Sequence, residues 1–231
     1  MSKLLVTEKE IVVPGQELAE GMDYLPGDDT YRDKDKIIAT RIGLVSIVGR
    51  LVKITPLTGP YIPKRGDLVI GDIVNVGFGG WRVDIGWPFD ANLSVRDATS
   101  DFINKGADLS KYFNYGDYVV VQIVNVAGAK IIDLSMKGPG LRKLGPGRLL
   151  KIPQSRVPRV IGKQGSMISM IKDYTGCKIS VGQNGLIWLS GEDPKKEMLA
   201  IKSIKKIEDE SHISGLTERI KEFLESNKDG I

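Results

Sequence analysis

The chain has one cysteine, Cys177, and one histidine, His212. A single thiol excludes an internal disulfide framework and a cysteine metal cluster. A single histidine in a polar C-terminal stretch leaves no material for a histidine metal site or a Ser-His-Asp triad. No apolar run approaches the roughly 18 residues of a membrane-spanning helix, and the first residues lack a signal peptide's apolar centre. No Gly-x-x-x-x-Gly-Lys-Ser/Thr phosphate loop occurs. The carboxylates that could gather metal ions, Asp67, Asp72, Asp84 and Asp90, are scattered along strand-like runs and turns. These absences point to a cytoplasmic, non-catalytic protein with no metal and no cofactor.

One further absence is local. Residues 134–172 contain no Asp or Glu but hold Lys137, Arg142, Lys143, Arg148, Lys151, Arg156, Arg159, Lys163 and Lys172. The whole chain is only +4, so positive charge is concentrated in this run, as in an electrostatic footprint for phosphates. Within it, Gly162-Lys163-Gln164-Gly165 precedes an apolar helical pattern. A glycine-flanked loop opening a helix lets backbone N–H groups approach an anion. The combination points to a nucleic-acid backbone. The other reading of the loop is a helix–turn–helix corner that only packs.

The chain is long enough for one large domain or two to three small ones, and its 27 glycines favour short strands and tight turns. Residues 1–63 read as a small β domain: strands at Ile11-Val12-Val13, residues 37–39 and residues 44–54, with Gly43 and Gly49 as bends. Residues 17–35 carry seven acids against Arg32 and Lys34. They read either as a solvated acidic loop or as a docking face for a protein partner, since acid repels RNA.

Residues 64–137 show five alternating runs: 66–76, 81–86, 89–95, 116–124 and 130–135. There is room for one short helix in 98–112. This spacing predicts a five-stranded OB-type barrel. The pieces Gly71-Asp72-Ile73-Val74, Val83-Asp84-Ile85-Gly86, Gly116-Asp117-Tyr118-Val119 and Ile132-Asp133-Leu134-Ser135 resemble the RNA-binding barrel named after ribosomal protein S-one. The resemblance implies base stacking by Phe78 and Trp81, with Arg82, Lys130 and Lys137 contacting phosphates. Position 94, where many members carry histidine, is serine here. The alternative for Phe78, Trp81, Trp87 and Phe89 is that they pack in the barrel core or against a neighbouring domain.

In residues 138–231, two Gly-Pro-Gly triplets read as a basic hinge leading to a strand from Arg148. A brief helix capped by Ser155 follows, then the glycine loop and a helix over 166–175 with Gly176 at its end. Two strands joined at Asn184-Gly185 come next. The last two helices carry Met198, Ile201 and Ile204, then Leu216, Ile220, Phe223 and Leu224. This order, an α/β arrangement, resembles a K-homology (KH) domain. The resemblance implies that Gly162, Lys163, Gln164 and Gly165 clamp RNA, with Arg156 and Arg159 approaching the same strand, while Arg148 joins the RNA contacts of the barrel and hinge.

Taken together, a small β domain, an OB barrel and a KH domain carrying Gly182-x-Asn184-Gly185 resemble the RNA-binding cap subunit family of the archaeal exosome, the ribosomal-RNA-processing protein four family. The resemblance implies that Gly182, Asn184 and Gly185 are structural and support the contact between KH domain and barrel. It also implies three non-catalytic copies on a hexameric ring of two phosphorolytic RNase subunit types. The N-terminal domain would dock on the ring, and single-stranded RNA would be guided 3′ end first. The competing expectations are a nuclease with its own site and a stand-alone RNA-binding protein or translation or transcription factor.

Overall fold

The computed structural model describes residues 2–99, 103–104, 106–128, 131–211, 213 and 215–227. It divides into two compact units, residues 1–60 and 61–231.

The first unit is all β. Its strands are β1 (Lys3–Leu4), β2 (Ile11–Val12), β3 (Glu17–Glu20), β4 (Leu25–Pro26), β5 (Thr30–Asp33), β6 (Lys36–Ala39), β7 (Gly43–Val48) and β8 (Leu51–Pro56). They form two four-stranded sheets, ordered β1-β3-β6-β5 and β2-β7-β8-β4. Leu18, Ala19, Ile37, Val45, Val52 and Ile54 fill the core. Gly43 approaches its partner strand so closely that a Cβ would lie 2.3 Å from Ile54 Cγ2. The acidic stretch is not a loop, because it contains β3, β4 and β5. A register shift between Glu17 and Ala19 turns both Leu18 and Ala19 inward. Glu17, Glu20, Asp23, Asp28, Asp33 and Asp35 remain exposed. Arg32 fixes the turn before β5 by donating to the carbonyls of Gly21 and Tyr24.

The second unit begins at Tyr61, three residues earlier than the sequence pattern suggests. Tyr61 is buried with the barrel core, and its hydroxyl donates to Asp67 at 2.7 Å. Five strands form the barrel: β9 (Leu68–Gly77), β10 (Gly80–Asp84), β11 (Ala91–Ser94), β12 (Tyr118–Ala127) and β13 (Ile131–Ser135). β9 pairs with β10 and β12, β10 with β11, and β13 with both β11 and β12, which closes the sheet. Among the described pairings of the barrel, β11–β13 alone is parallel. Alternation sends Val69, Ile73, Val83, Leu93, Val121, Ile123, Ile132 and Leu134 inward. Where a short helix is expected in 98–112, the described residues hold only a 3-10 turn over 109–111; a single-turn helix, α1 (Val95–Ala98), precedes it, capped by Ser94, whose Oγ accepts from Asp97 N–H.

The C-terminal part is a KH-type α/β arrangement. β14 (Arg142–Lys143) adds to β12 of the barrel. β15 (Arg148–Lys151), β16 (Lys178–Val181) and β17 (Leu186–Ser190) then make a sheet ordered β15-β17-β16. Four helices cover one face: α2 (Val157–Ile161), α3 (Ser166–Thr175), α4 (Pro194–Glu210) and α5 (Leu216–Ser226). Val160, Met167, Ile171, Ile187, Leu189, Ile204, Ile220 and Leu224 fill the space between. Gly176 ends α3 in the left-handed region, φ 68°, with its N–H donating to Lys172 O. Two local expectations fail. Ser155 caps nothing, because a 3-10 turn over residues 154–156 runs straight into α2. Met198 is exposed, and α4 instead buries Leu199, Ala200, Ile201, Ile204 and Ile207.

The barrel and the KH sheet share a small second core of Ile70, Val120, Leu144 and Trp188, flanked by Tyr118, Leu141, Leu149 and Leu186. The glycine-rich segment 138–147 is therefore a strap rather than a free hinge. Leu144 is buried, and its N–H donates to Tyr118 O at 2.7 Å. A Cβ at Gly147 would lie 2.5 Å from the Trp188 indole nitrogen.

Candidate nucleic-acid interface

On the barrel, strand register sorts the side chains. Trp81 sits opposite Val76 and Leu93, and Arg82 sits opposite Asn75 and Asn92. The first row points inward. Trp81 is 2% exposed, donates its indole N–H to Phe113 O at 2.9 Å, and meets the Phe113 ring edge-on at 5.0 Å. Its π-face is consumed by the core, so Trp81 is not a stacking residue, and the expectation that it stacks a base is corrected. Trp87 is packed partly against the same core, while Phe89 is exposed.

The second row faces outward. Arg82, Asn75, Asn92 and Ser94 line a shallow groove of about 370 Å3 whose floor includes Gly77, Gly79 and Gly80. Gly80, at φ 150°, is held so near β11 that a Cβ would lie 2.2 Å from Leu93 O. One cation and two amides over a glycine floor offer donors and acceptors to sugar, phosphate and base edges alike, while the Ser94 hydroxyl is engaged at the start of α1, accepting from Asp97 N–H and donating to Asp97 Oδ2. Asn75 and Asn92 were missed in the sequence; only register brings them beside Arg82. Phe78, on the β9–β10 turn, is fully exposed, with both ring faces open to solvent. Lys137 is exposed beyond β13. Lys130 lies outside the described residues.

On the KH side, the Gly162-Lys163-Gln164-Gly165 loop joins α2 to α3. Gly162 (φ 76°), Gln164 (φ 53°) and Gly165 (φ 80°) are all in the left-handed region. A Cβ at Gly162 would lie 2.7 Å from Met167 N, so glycine is demanded there by space as well as by φ. Space around Gly165 is open. Lys163 and Gln164 are exposed at the tip, Arg159 is exposed on α2, and Arg156 is half-buried at its start. The loop thus sets these cations around the positive end of α3.

Arg148 belongs to a different arrangement. Its Nε lies 2.8 Å from Glu197 Oε2 on α4. The Gly191 N–H, then Arg148, hold the Glu197 carboxyl below its ordinary range. Arg148 therefore ties the β15 edge to α4 through its Nε, and it is already partnered by a carboxylate in this structure.

Gly182, Asn184 and Gly185 form the β16–β17 turn, which is inserted against the barrel. The Asn184 amide donates to Ile70 O at 2.7 Å and Ile85 O at 2.9 Å, and its Oδ1 accepts from Ile70 N at 3.3 Å. Gln183 exchanges two bonds with Leu68, N–H to O at 2.8 Å and Oε1 from N–H at 2.7 Å. A Cβ on Gly182 would lie 2.8 Å from Ile70 N, and one on Gly185 2.3 Å from Ile152 O.

Comparison with known proteins places the chain in a family. The KH domain family matches residues 148–206, and the family described as the exosome complex exonuclease RRP4 N-terminal region matches residues 11–48. The exosome complex component Rrp4 of Pyrococcus abyssi is 48% identical over 227 residues, covering 97% of this chain and 85% of the relative. That of Methanothermus fervidus is 46% identical, covering 96% and 97%. A crystal structure of a protein assigned as an exosome complex RNA-binding protein superposes with a TM-score of 0.66 at 37% identity, over 74% of this chain and 98% of that one. The chain belongs to the Rrp4 family of exosome components.

Proposed function

We propose that this protein is the non-catalytic, RNA-binding cap subunit of an exosome. It captures single-stranded RNA and guides the 3′ end into a ring of phosphorolytic RNase subunits for 3′-to-5′ degradation or processing. The observation that carries this reading is the coexistence of two phosphate-accepting surfaces, the Arg82 groove and the Gly162–Gly165 loop, in one unit of a chain related along its whole length to Rrp4. Phe78 and Arg82 on the barrel, with Lys137, Lys130, Arg156, Arg159, Lys163 and Gln164, are the RNA contacts. The side chains on the barrel groove bind rather than react: guanidinium and amide hold a backbone without activating water or phosphate.

The acids of the first unit repel RNA and suit a protein surface, so residues 1–63 dock on the ring. Three copies cap a ring of two subunit types, and the assembly works in the cytoplasm without a cofactor. The test is incubation of the purified chain with labelled RNA, magnesium and inorganic phosphate. Retention of bound, full-length RNA is expected. Shortening of the RNA by the chain alone refutes the non-catalytic reading, and absence of binding refutes the RNA-capture reading.

A further inference from the structure

A third surface lies between the KH sheet and the strap. The sheet's helix-free face, its edge at β16, the C-terminal part of α3 and residues 140–146 bound a groove of about 790 Å3, lined by Arg142, Lys172, Lys178, Ser180, Trp188 and Ser190 among others. Register explains the grouping. Lys178 pairs with Ser190 and Ser180 with Trp188, so these four side chains share one face while Ile179 and Leu189 enter the core on the other. β16 is the sheet's edge strand, which leaves the groove open on that side.

The Arg142 guanidinium is held in place, 6.0 Å from the Trp188 ring centroid and 3.5 Å from Ser180 Oγ. Most of its five donors remain unspent by these contacts. No acid lines the groove, and among the described residues none of its three cations forms an ion pair. Three uncompensated cations in a concave, partly apolar wall concentrate positive potential where a polyanion can lie. Lys172 is on α3, seven residues beyond Gly165, or about 10 Å along the helix at 1.5 Å per residue.

We propose that this groove is a further phosphodiester-binding site. It receives RNA that leaves the glycine loop and runs along α3 toward the barrel. The proposal rests on the RNA-binding reading above and adds a path to it.

The test uses the full chain and labelled oligouridylates of about four nucleotides, the length a KH loop clamps, and about three times that length. Binding is followed by fluorescence anisotropy for wild type and for Lys172→Gln with Lys178→Gln. Each phosphate contact to a single strand contributes a log–log salt slope of about −0.7, worth about 5-fold in affinity at 0.1 M salt. The double variant is expected to bind the long RNA about 25-fold more weakly at that salt, with a slope shallower by about 1.4. Its affinity for the short RNA stays within about 2-fold of wild type, because the short RNA stops at the loop. An unchanged affinity for the long RNA, or an equal loss for both lengths, overturns the groove site. So does displacement of the long RNA by poly-glutamate as effective as by unlabelled RNA, which assigns the groove to an acidic peptide. If wild type binds neither RNA, the RNA-binding reading itself falls. Lys178→Gln alone, at an exposed position on an edge strand, carries a 5-fold expectation should the Lys172 change disturb α3.

Discussion

Replacing Asn184 is the sharpest probe of how this chain is built. Its side chain is buried and makes three hydrogen bonds to barrel backbone, at 2.7, 2.9 and 3.3 Å. Asn184→Ala removes all three and leaves two carbonyls and one N–H in a dry contact. A lost bond costs about 1 kcal/mol net, and a buried group left unpaired about 1–3 kcal/mol. Partial relaxation around the smaller residue keeps the total near 3–5 kcal/mol, a large share of the roughly 5–15 kcal/mol that holds a domain together. For a unit of this size each kcal/mol shifts the midpoint by about 2–4 °C, so a fall of roughly 6–20 °C is expected. Asn184→Asp is expected to be worse than Ala, because a carboxylate would face two carbonyl oxygens and donate to neither. The assay is thermal unfolding by circular dichroism, with amide exchange at Ile70 as the local report. A midpoint within about 2 °C of wild type and unchanged exchange at Ile70 refute the claim that this turn joins the KH sheet to the barrel.

Three other outcomes follow from the site geometry. Trp81→Ala should destabilise the barrel by about 3–5 kcal/mol, whereas Phe78→Ala should leave melting within about 0.5 kcal/mol and weaken RNA binding by the roughly 1–3 kcal/mol of a lost stack; melts and titrations of the pair separate core from contact. Gly165→Asp has open space but a left-handed backbone (φ 80°), so it should fold at a cost of about 1–2 kcal/mol and lose RNA affinity about tenfold or more as its carboxylate meets phosphate, while Gly162→Asp should misfold the corner against Met167; anisotropy and circular dichroism on both variants check this. Burial, with Asp84 and Asp117 adding, raises the folded Asp72 carboxyl above its ordinary value, and its Oδ1 has no hydrogen-bond partner. Folding therefore gains from this group below the ordinary carboxylate range and loses that gain as pH rises through the raised value, so Asp72→Asn should raise the melting temperature at pH 7 and change it less at pH 4.

The barrel strands were legible because each buries one face and alternates cleanly, as in Val69-Ile70-Gly71-Asp72-Ile73. β3 was not, because glutamates flank Leu18-Ala19 and a register shift breaks the alternation there, and β5 was not, because none of Thr30-Tyr31-Arg32-Asp33 is fully buried. Trp81 shows where resemblance outran residue logic. Its parity along β10 matches that of the buried Val83, which placed it inside, and Arg82 beside it outside. Asn75 and Asn92 were invisible for another reason: they meet Arg82 only through pairings across β9, β10 and β11, and a single sequence does not carry cross-strand register. The Gly-Pro-Gly triplets suggested freedom, yet Gly147 is glycine because Trp188 lies against it. The glycine loop was readable from spacing together with context, because Gly162 and Gly165 fall between two short helices, and both adopt positive φ.

Native mass spectrometry of the chain recovered from its source cells tests the central claim most directly. The account predicts three copies bound to a six-membered ring of two RNase-type subunits. Recovery as a lone chain carrying RNA, with no ring partner, contradicts it and assigns the molecule to the stand-alone RNA binders.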